Sequence, residues 1–231
     1  SGNIGNGDTV IVKADGTAGV VTSVTAGNVV GSQATFHSGS SASRMNQIAY
    51  DSDTGKIIVA YCVGSSSAYA IVGSIDASNN SIDFSGNGAT SFNSAETEDI
   101  AVVSLGNQTN KFVVAYRDNG NSNHGYARMG TISGTTITFS QAYSFNTAGT
   151  TNQIRMAYDE NAERIIITFR DYGDGYKGTA IVGSVNDSGT IQFGSKTVYN
   201  SAQSIYNTPV YDPNSQKIII AYRDVGASNS G

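Results

Sequence analysis

The sequence predicts an all-β protein, a β-propeller of four-stranded antiparallel blades with four blades expected. Three observations carry this. A segment reading "KIIVAY" at Lys56 returns as "KFVVAY" at Lys111, "RIIITF" at Arg164 and "KIIIAY" at Lys217, at intervals of 55, 53 and 53 residues. Each return brings further short segments rich in Val, Ile, Tyr and Phe, separated by clusters of Gly, Asn, Ser and Asp, the pattern of strands joined by tight turns. No stretch of the 231 residues carries helical periodicity. Fixed-period repeats set the whole architecture, and radial repetition of four-stranded sheets is the propeller plan.

Naming the strands of a unit A to D, strand A is "QIAYD" ending at Asp51, with counterparts ending at Ser104, Asp159 and Asp212. Strand B is the "KIIVAY" line. Its consecutive apolar residues suit a strand covered on both faces, as a blade is by its two neighbours. Strand C is "AIVGSI" from Ala70, "ARMGTI" from Ala127 and "AIVGSV" from Ala180, with an early member, "GVVTSV", from Gly19. Strand D runs from "SIDF" towards "FNSA" at Phe92, and the same line appears at Phe36, Phe145 and Tyr199.

The chain therefore opens with a C and D pair and closes with an A and B pair. These are expected to complete one another as a fourth blade and clasp the ring. The reading is one domain, 1–231, with units at 46–97, 98–152 and 153–204 and a split unit of 205–231 plus 9–45. The leader "GDTVIVKADGT" has three readings: an extra edge strand, a divergent B strand, or a connection to a preceding domain. The same chain also reads as a slice of a longer array.

Composition narrows the function classes. Charged residues make up 13 % of the chain, about half the usual share, so Ser, Thr, Asn and Gly dominate the surface. A net charge of −5 with scattered Lys and Arg offers no basic stripe to a phosphate backbone, so no nucleic-acid partner is expected. No apolar run is long enough for membrane insertion, and no signal-peptide pattern opens the chain. The one cysteine, Cys62, excludes an intrachain disulfide framework and reads as a small packed side chain. Neither zinc nor any other metal or cofactor is expected, because no second Cys or spaced His pair is present. "DSDTGK" at Asp51 lacks the later ligands of a calcium loop and reads as an A–B turn.

"KIIIAYRD" at Lys217, "GTAIVGSV" from Gly178 and the leader together resemble the repeats of virion proteins of tailed bacteriophages, tail-associated or fibre-like ones of marine phages in particular. The resemblance covers essentially the whole chain. It implies an extracellular or virion location, other virion proteins as partners, contact with a host surface and an oligomer of the kind virion fibres form. It carries no catalytic residues.

In an up-and-down blade the B–C and D–A connections emerge at one edge. The loops after Arg117, Arg170 and Arg223 should therefore share a face with "FNSAETED", "FNTAGTTNQ" and "YNSAQSIYN". Variable loops on a constant frame are where binding usually resides. Asn121, Asn123, His124, Asp174, Tyr176 and Lys177 offer hydrogen bonds and stacking to a neutral polyhydroxylated ligand. The recurrent pairs Arg117 and Asp118, Arg170 and Asp171, and Arg223 and Asp224 admit two readings. Arginines from successive blades could clamp a carboxylate, as sialidases hold sialic acid. The favoured alternative is a repeated brace to the neighbouring blade or to turn amides. No nucleophile and acid or base stand together, so no catalytic residue is assigned and the chain is read as a non-enzyme. The expected function is a structural or receptor-contacting module that recognises a surface glycan or a host-surface protein. A free carbohydrate-binding propeller lectin is the first alternative and a sialidase-like glycosidase the second.

Overall fold

The computed structural model describes residues 10–12, 18–20, 31–228 and 230–231. Strands β1 (Val10–Val12) and β2 (Ala18–Val20) form an antiparallel hairpin. The first unit comprises β3 (Ser43–Asp51), β4 (Lys56–Val63), β5 (Ser67–Asp76), β6 (Ser81–Asp83) and β7 (Thr90–Asn93). The second comprises β8 (Thr97–Ser104), β9 (Lys111–Asp118), β10 (His124–Ser133), β11 (Thr136–Phe139) and β12 (Tyr143–Asn146). The third comprises β13 (Thr151–Asp159), β14 (Arg164–Asp171), β15 (Lys177–Val185), β16 (Ile191–Phe193) and the start of β17 (Thr197–Asp212). The rest of β17 pairs with β18 (Lys217–Asp224) as strands A and B of a fourth unit.

The protein is all-β with antiparallel sheets in the order A–B–C–D. Strand D is two pieces rather than one, because the chain leaves the ladder between them and other groups satisfy strand C. Asn87 Nδ2 donates to the Val72 carbonyl at 2.6 Å, and Gly194 N–H donates to the Val182 carbonyl at 2.9 Å. The glycine of the "AIVGS" line is a packing requirement. A Cβ on Gly73 would lie 2.7 Å from the Phe84 ring, and one on Gly183 would lie 2.9 Å from Phe193. The A strand of the first unit starts at Ser43 rather than at the Gln47 of "QIAYD", since pairing resumes beyond a β-bulge as Ser43↔Val63 and Arg44↔Cys62.

Successive sheets stack face to face. Ile58, Ala60 and Cys62 of β4 pack with Ile100, Val102 and Val114 of the second unit. Val113 and Ala115 on the opposite face of β9 pack with Ile154, Ile165 and Ile167 of the third. The run of buried residues in β4, β9 and β14 is thus the two-faced burial the consecutive apolar pattern demands. Strands β3, β8, β13 and β17 lie side by side as the inner row. One aromatic pair repeats through the stack: Phe36–Tyr61 at 5.1 Å, Phe92–Tyr116 at 5.2 Å, Phe145–Phe169 at 5.3 Å and Tyr199–Tyr222 at 5.2 Å between centroids. Each tilted or edge-on pair joins a D-line aromatic to a B-line aromatic, a geometry that adds to the burial of both rings.

The expected clasp is not formed among the described strands. Strand β2 pairs with β1 in the register Val10↔Val20 and Ile11↔Gly19. That matches the B–C register Val59↔Ile71 and Ala60↔Ala70 of the first unit, the pairing expected of the leader as a divergent B strand. The remainder of "GVVTSV" lies outside the described residues. Beyond its ladder with β17, β18 pairs among the described residues only through the isolated bridge Asp224↔Ser230. Val210 and Ile219 are 55 % and 53 % exposed, on the face of the fourth unit where the other units have a neighbour.

Candidate functional site

The B–C and D–A connections do share one edge, and they are tied together by backbone hydrogen bonds. Asn119 N–H donates to the Glu96 carbonyl at 2.9 Å, Tyr172 N–H to that of Thr150 at 3.1 Å, and Val225 N–H to that of Gln203 at 2.9 Å. The loops are also fitted to one another by small residues. A Cβ on Gly120 would meet the Ala95 Cβ at 2.5 Å, one on Gly173 would strike the Ala148 carbonyl, and one on Gly226 would strike Ala202. The glycine of each "RDxG" loop and the alanine of the facing "FNSA", "FNTA" or "YNSA" loop are therefore one contact, made three times.

The aspartates of the repeated pair cap the turn that follows them. Oδ1 of Asp118, Asp171 and Asp224 accepts from the backbone N–H of Gly120 at 3.0 Å, Gly173 at 3.0 Å and Gly226 at 2.8 Å. This is the side-chain-to-backbone turn for which Asp is suited. Asp171 is fully buried and also receives Lys196 Nζ at 2.7 Å, with Asn146 Nδ2 3.3 Å away. Asn146 in turn donates to Thr151 Oγ1 at 2.9 Å, and the same bond recurs as Asn93 to Thr97 and Asn200 to Ser204.

The arginines differ from one another. Arg117 is a brace: it pairs with Glu98 across the ladder, lies 3.6 Å from Asp99 and donates to Asn152 of the next unit. Arg170 has no such partners among the described residues; its guanidinium lies 5.0 Å from the Tyr172 ring centre and 4.8 Å from that of Tyr176. Arg223, paired across the ladder with Ile205, makes no ion pair among the described residues. In the first unit Cys62 takes the arginine's place, is buried, and donates Sγ–H to the Thr97 carbonyl at 3.0 Å. Burial pushes its thiol up to about 11.

The remaining predicted residues sit on the same edge. Asn121 Nδ2 donates to the Tyr126 hydroxyl at 2.5 Å, the Asn123 carbonyl accepts from Thr151 N–H at 3.0 Å, and His124 opens β10 opposite Asp118. Tyr172, Gly173 and Asp174 form a single 3₁₀ turn capped by Asp171. Asp174 is held by Lys177 at 2.8 Å, and Tyr176, at φ 65°, projects beside Tyr172 with ring centres 4.4 Å apart. The geometry thus brings Arg170, Tyr172, Tyr176, Asp174 and Lys177 together and ties Arg117, Asp118 and Asp171 into the frame. Tyr172 and Lys196 were not singled out by the sequence. Lys196 has no counterpart in the repeats that would have marked it.

The turns at the opposite edge follow the same capping logic. Asp51 accepts from Thr54 Oγ1 at 2.6 Å and Asp212 from Ser215 Oγ at 2.6 Å. Among the described residues no three His, Cys, Asp or Glu side chains are grouped as a metal ion would need, and no helix is long and apolar enough to cross a membrane.

No family model matches the chain and no curated protein does. Solved structures with a partial likeness include a Trypanosoma rangeli sialidase (TM-score 0.47, 13 % identity, 96 % of this chain and 40 % of that one). A Hadza microbial sialidase (0.45, 12 %, 77 % and 39 %) and a hypothetical selenium-binding protein from Sulfolobus tokodaii (0.46, 12 %, 69 % and 42 %) are also similar. The chain spans about two fifths of each of these proteins. With TM-scores below 0.5, the likenesses say nothing about what this chain binds or does.

Proposed function

We propose that the chain is a non-enzymatic propeller module of a phage particle whose B–C and D–A edge recognises a surface glycan. The observation that carries the binding reading is the contrast within this edge. The turn-capping aspartates and the glycine–alanine contacts fix three loops in one frame, while the residues between them differ and present Tyr172 and Tyr176 to solvent, 37 % and 42 % exposed. Rigid scaffolds carrying variable loops are the usual arrangement of a binding surface. Exposed tyrosines give stacking area at low entropic cost. The virion assignment and an extracellular location rest on the sequence resemblance of "KIIIAYRD", "GTAIVGSV" and the leader.

For the ring itself we propose blades of a β-propeller. Closure at four requires Gly19 opposite Ala221, the register of Ala70 opposite Ala60. The β1–β2 pairing favours the second arrangement, in which residues 10–45 supply B, C and D of a unit of their own. Both arrangements keep Phe36 on Tyr61, as the D-line aromatics of the other units sit on the B-line aromatics that follow.

A glycan array probed with the purified chain tests the function. Binding of a defined saccharide set that Tyr176→Ala removes is expected. Absence of any hit under conditions sensitive to millimolar affinities contradicts the reading.

A further inference from the structure

We infer that Arg170, Tyr172 and Tyr176 form a subsite for the carboxylate of an acidic sugar, of the uronic-acid class. The inference rests on the glycan reading above and deepens it. The arginine at the end of strand B has two places to find a partner: the residue across the ladder in strand A of its own unit, and the corresponding residue of the next unit. For Arg117 these are Glu98 and Asn152, and both are used. For Arg170 they are Asn152, whose side-chain oxygen Arg117 already takes, and Ile205, which offers nothing.

Arg170 accordingly makes no ion pair and donates no hydrogen bond among the described residues, and its Nε is buried without a partner. The acids nearest in the chain are already neutralised, Asp171 by Lys196 at 2.7 Å and Asp174 by Lys177 at 2.8 Å. Arg223 likewise makes no ion pair among the described residues, but Arg170 is the one of the repeated arginines that stands over two exposed loop tyrosines, Tyr172 and Tyr176. The rings hold the guanidinium by cation–π contact. Its rigid planar fork matches a carboxylate through two parallel N–H···O bonds, which a point-charge lysine cannot reproduce. Both tyrosines are more than a third exposed and offer ring surface to the C–H face of a pyranose.

Calorimetric titration of the full chain at low salt with trigalacturonate, with the neutral galactotriose and with inorganic phosphate tests this. Trigalacturonate is expected to bind while the other two do not. Arg170→Met should weaken it at least tenfold and Arg170→Lys should recover less than half of that loss. Arg164→Met, at the opposite edge, should leave it unchanged. An unaltered thermal midpoint in each variant shows that folding is not the cause. Equal binding of the neutral trisaccharide overturns the carboxylate assignment while leaving the glycan reading intact. Equal binding of phosphate reduces the site to a general anion site and overturns it too. Trigalacturonate that fails to bind, or binds Arg170→Met equally well, removes the subsite, and the array result then decides the glycan reading separately.

Discussion

The side-chain oxygen of Gln153 accepts the backbone N–H of Tyr206, one unit further along the inner row of strands. Both residues sit in the left-handed region, at φ 55° and φ 57°, within β-bulges that recur at Met45 (φ 54°) and Asp99 (φ 50°). Two of the inner strands are thus linked bulge to bulge, and the link offsets part of the cost, about 1–2 kcal/mol, of a non-glycine residue in that conformation. Met45 has no oxygen with which to make such a link. Urea unfolding should show Gln153→Ala less stable by about 1 kcal/mol and Met45→Gly more stable by up to about 1 kcal/mol. An unchanged unfolding midpoint for Gln153→Ala would mean that the link does not matter.

Removing the brace should be more damaging. Arg117→Met leaves Glu98 and Asp99 beside each other, both less than a third exposed, without their cation. A loss of about 2–3 kcal/mol is expected, below the full cost of breaking a buried pair because the site is partly open to water. Arg223→Met, which disturbs no ion pair among the described residues, should cost under about 0.5 kcal/mol by the same measurement.

Cys62 should be unreactive in the folded protein. Desolvation by burial raises its thiol from 9.0 to about 11, so little thiolate exists at pH 8. The folded state holds this proton more tightly than the unfolded one, so its contribution to stability is full below pH 9 and is lost as pH rises through about 11. Iodoacetamide at pH 8 should modify Cys62 only at the rate of unfolding, and rapid labelling of the native chain would contradict its burial.

The partner of β2 can be read by paired cysteines, since strand neighbours lie within disulfide reach. Ile11→Cys with Gly19→Cys should oxidise to a crosslink if β1 is the B strand. Gly19→Cys with Ala221→Cys should do so if the ring closes at four. Mass spectrometry of the two oxidised variants tells the arrangements apart, and the β1–β2 register predicts the first.

Much of the fold was legible because the repeat repeats its chemistry. Consecutive apolar residues in "KIIVAY" marked strands covered on both faces, and "RDxG" marked the turn that Asp118, Asp171 and Asp224 cap. The bulges were not legible: Met45, Asp99, Gln153 and Tyr206 share a backbone conformation but no side-chain type. Nor was the partner of Gly19, because a strand edge offers the same N–H and C=O groups to β1 as to β18. At the candidate site the sequence found the loops. It could not separate the braced Arg117 from the unpaired Arg170, a difference set by Glu98, Asn152 and Ile205 on other strands.

The most direct test of the account is to map a bound saccharide on the protein surface by amide chemical-shift perturbation, using the strongest ligand from the array. The account predicts shifts concentrated at residues 119–123 and 172–176 and in the facing loops at 94–96 and 147–150, with the turns at 52–55 and 160–163 unmoved. Perturbations centred on those opposite turns, or spread evenly over the chain, would contradict it.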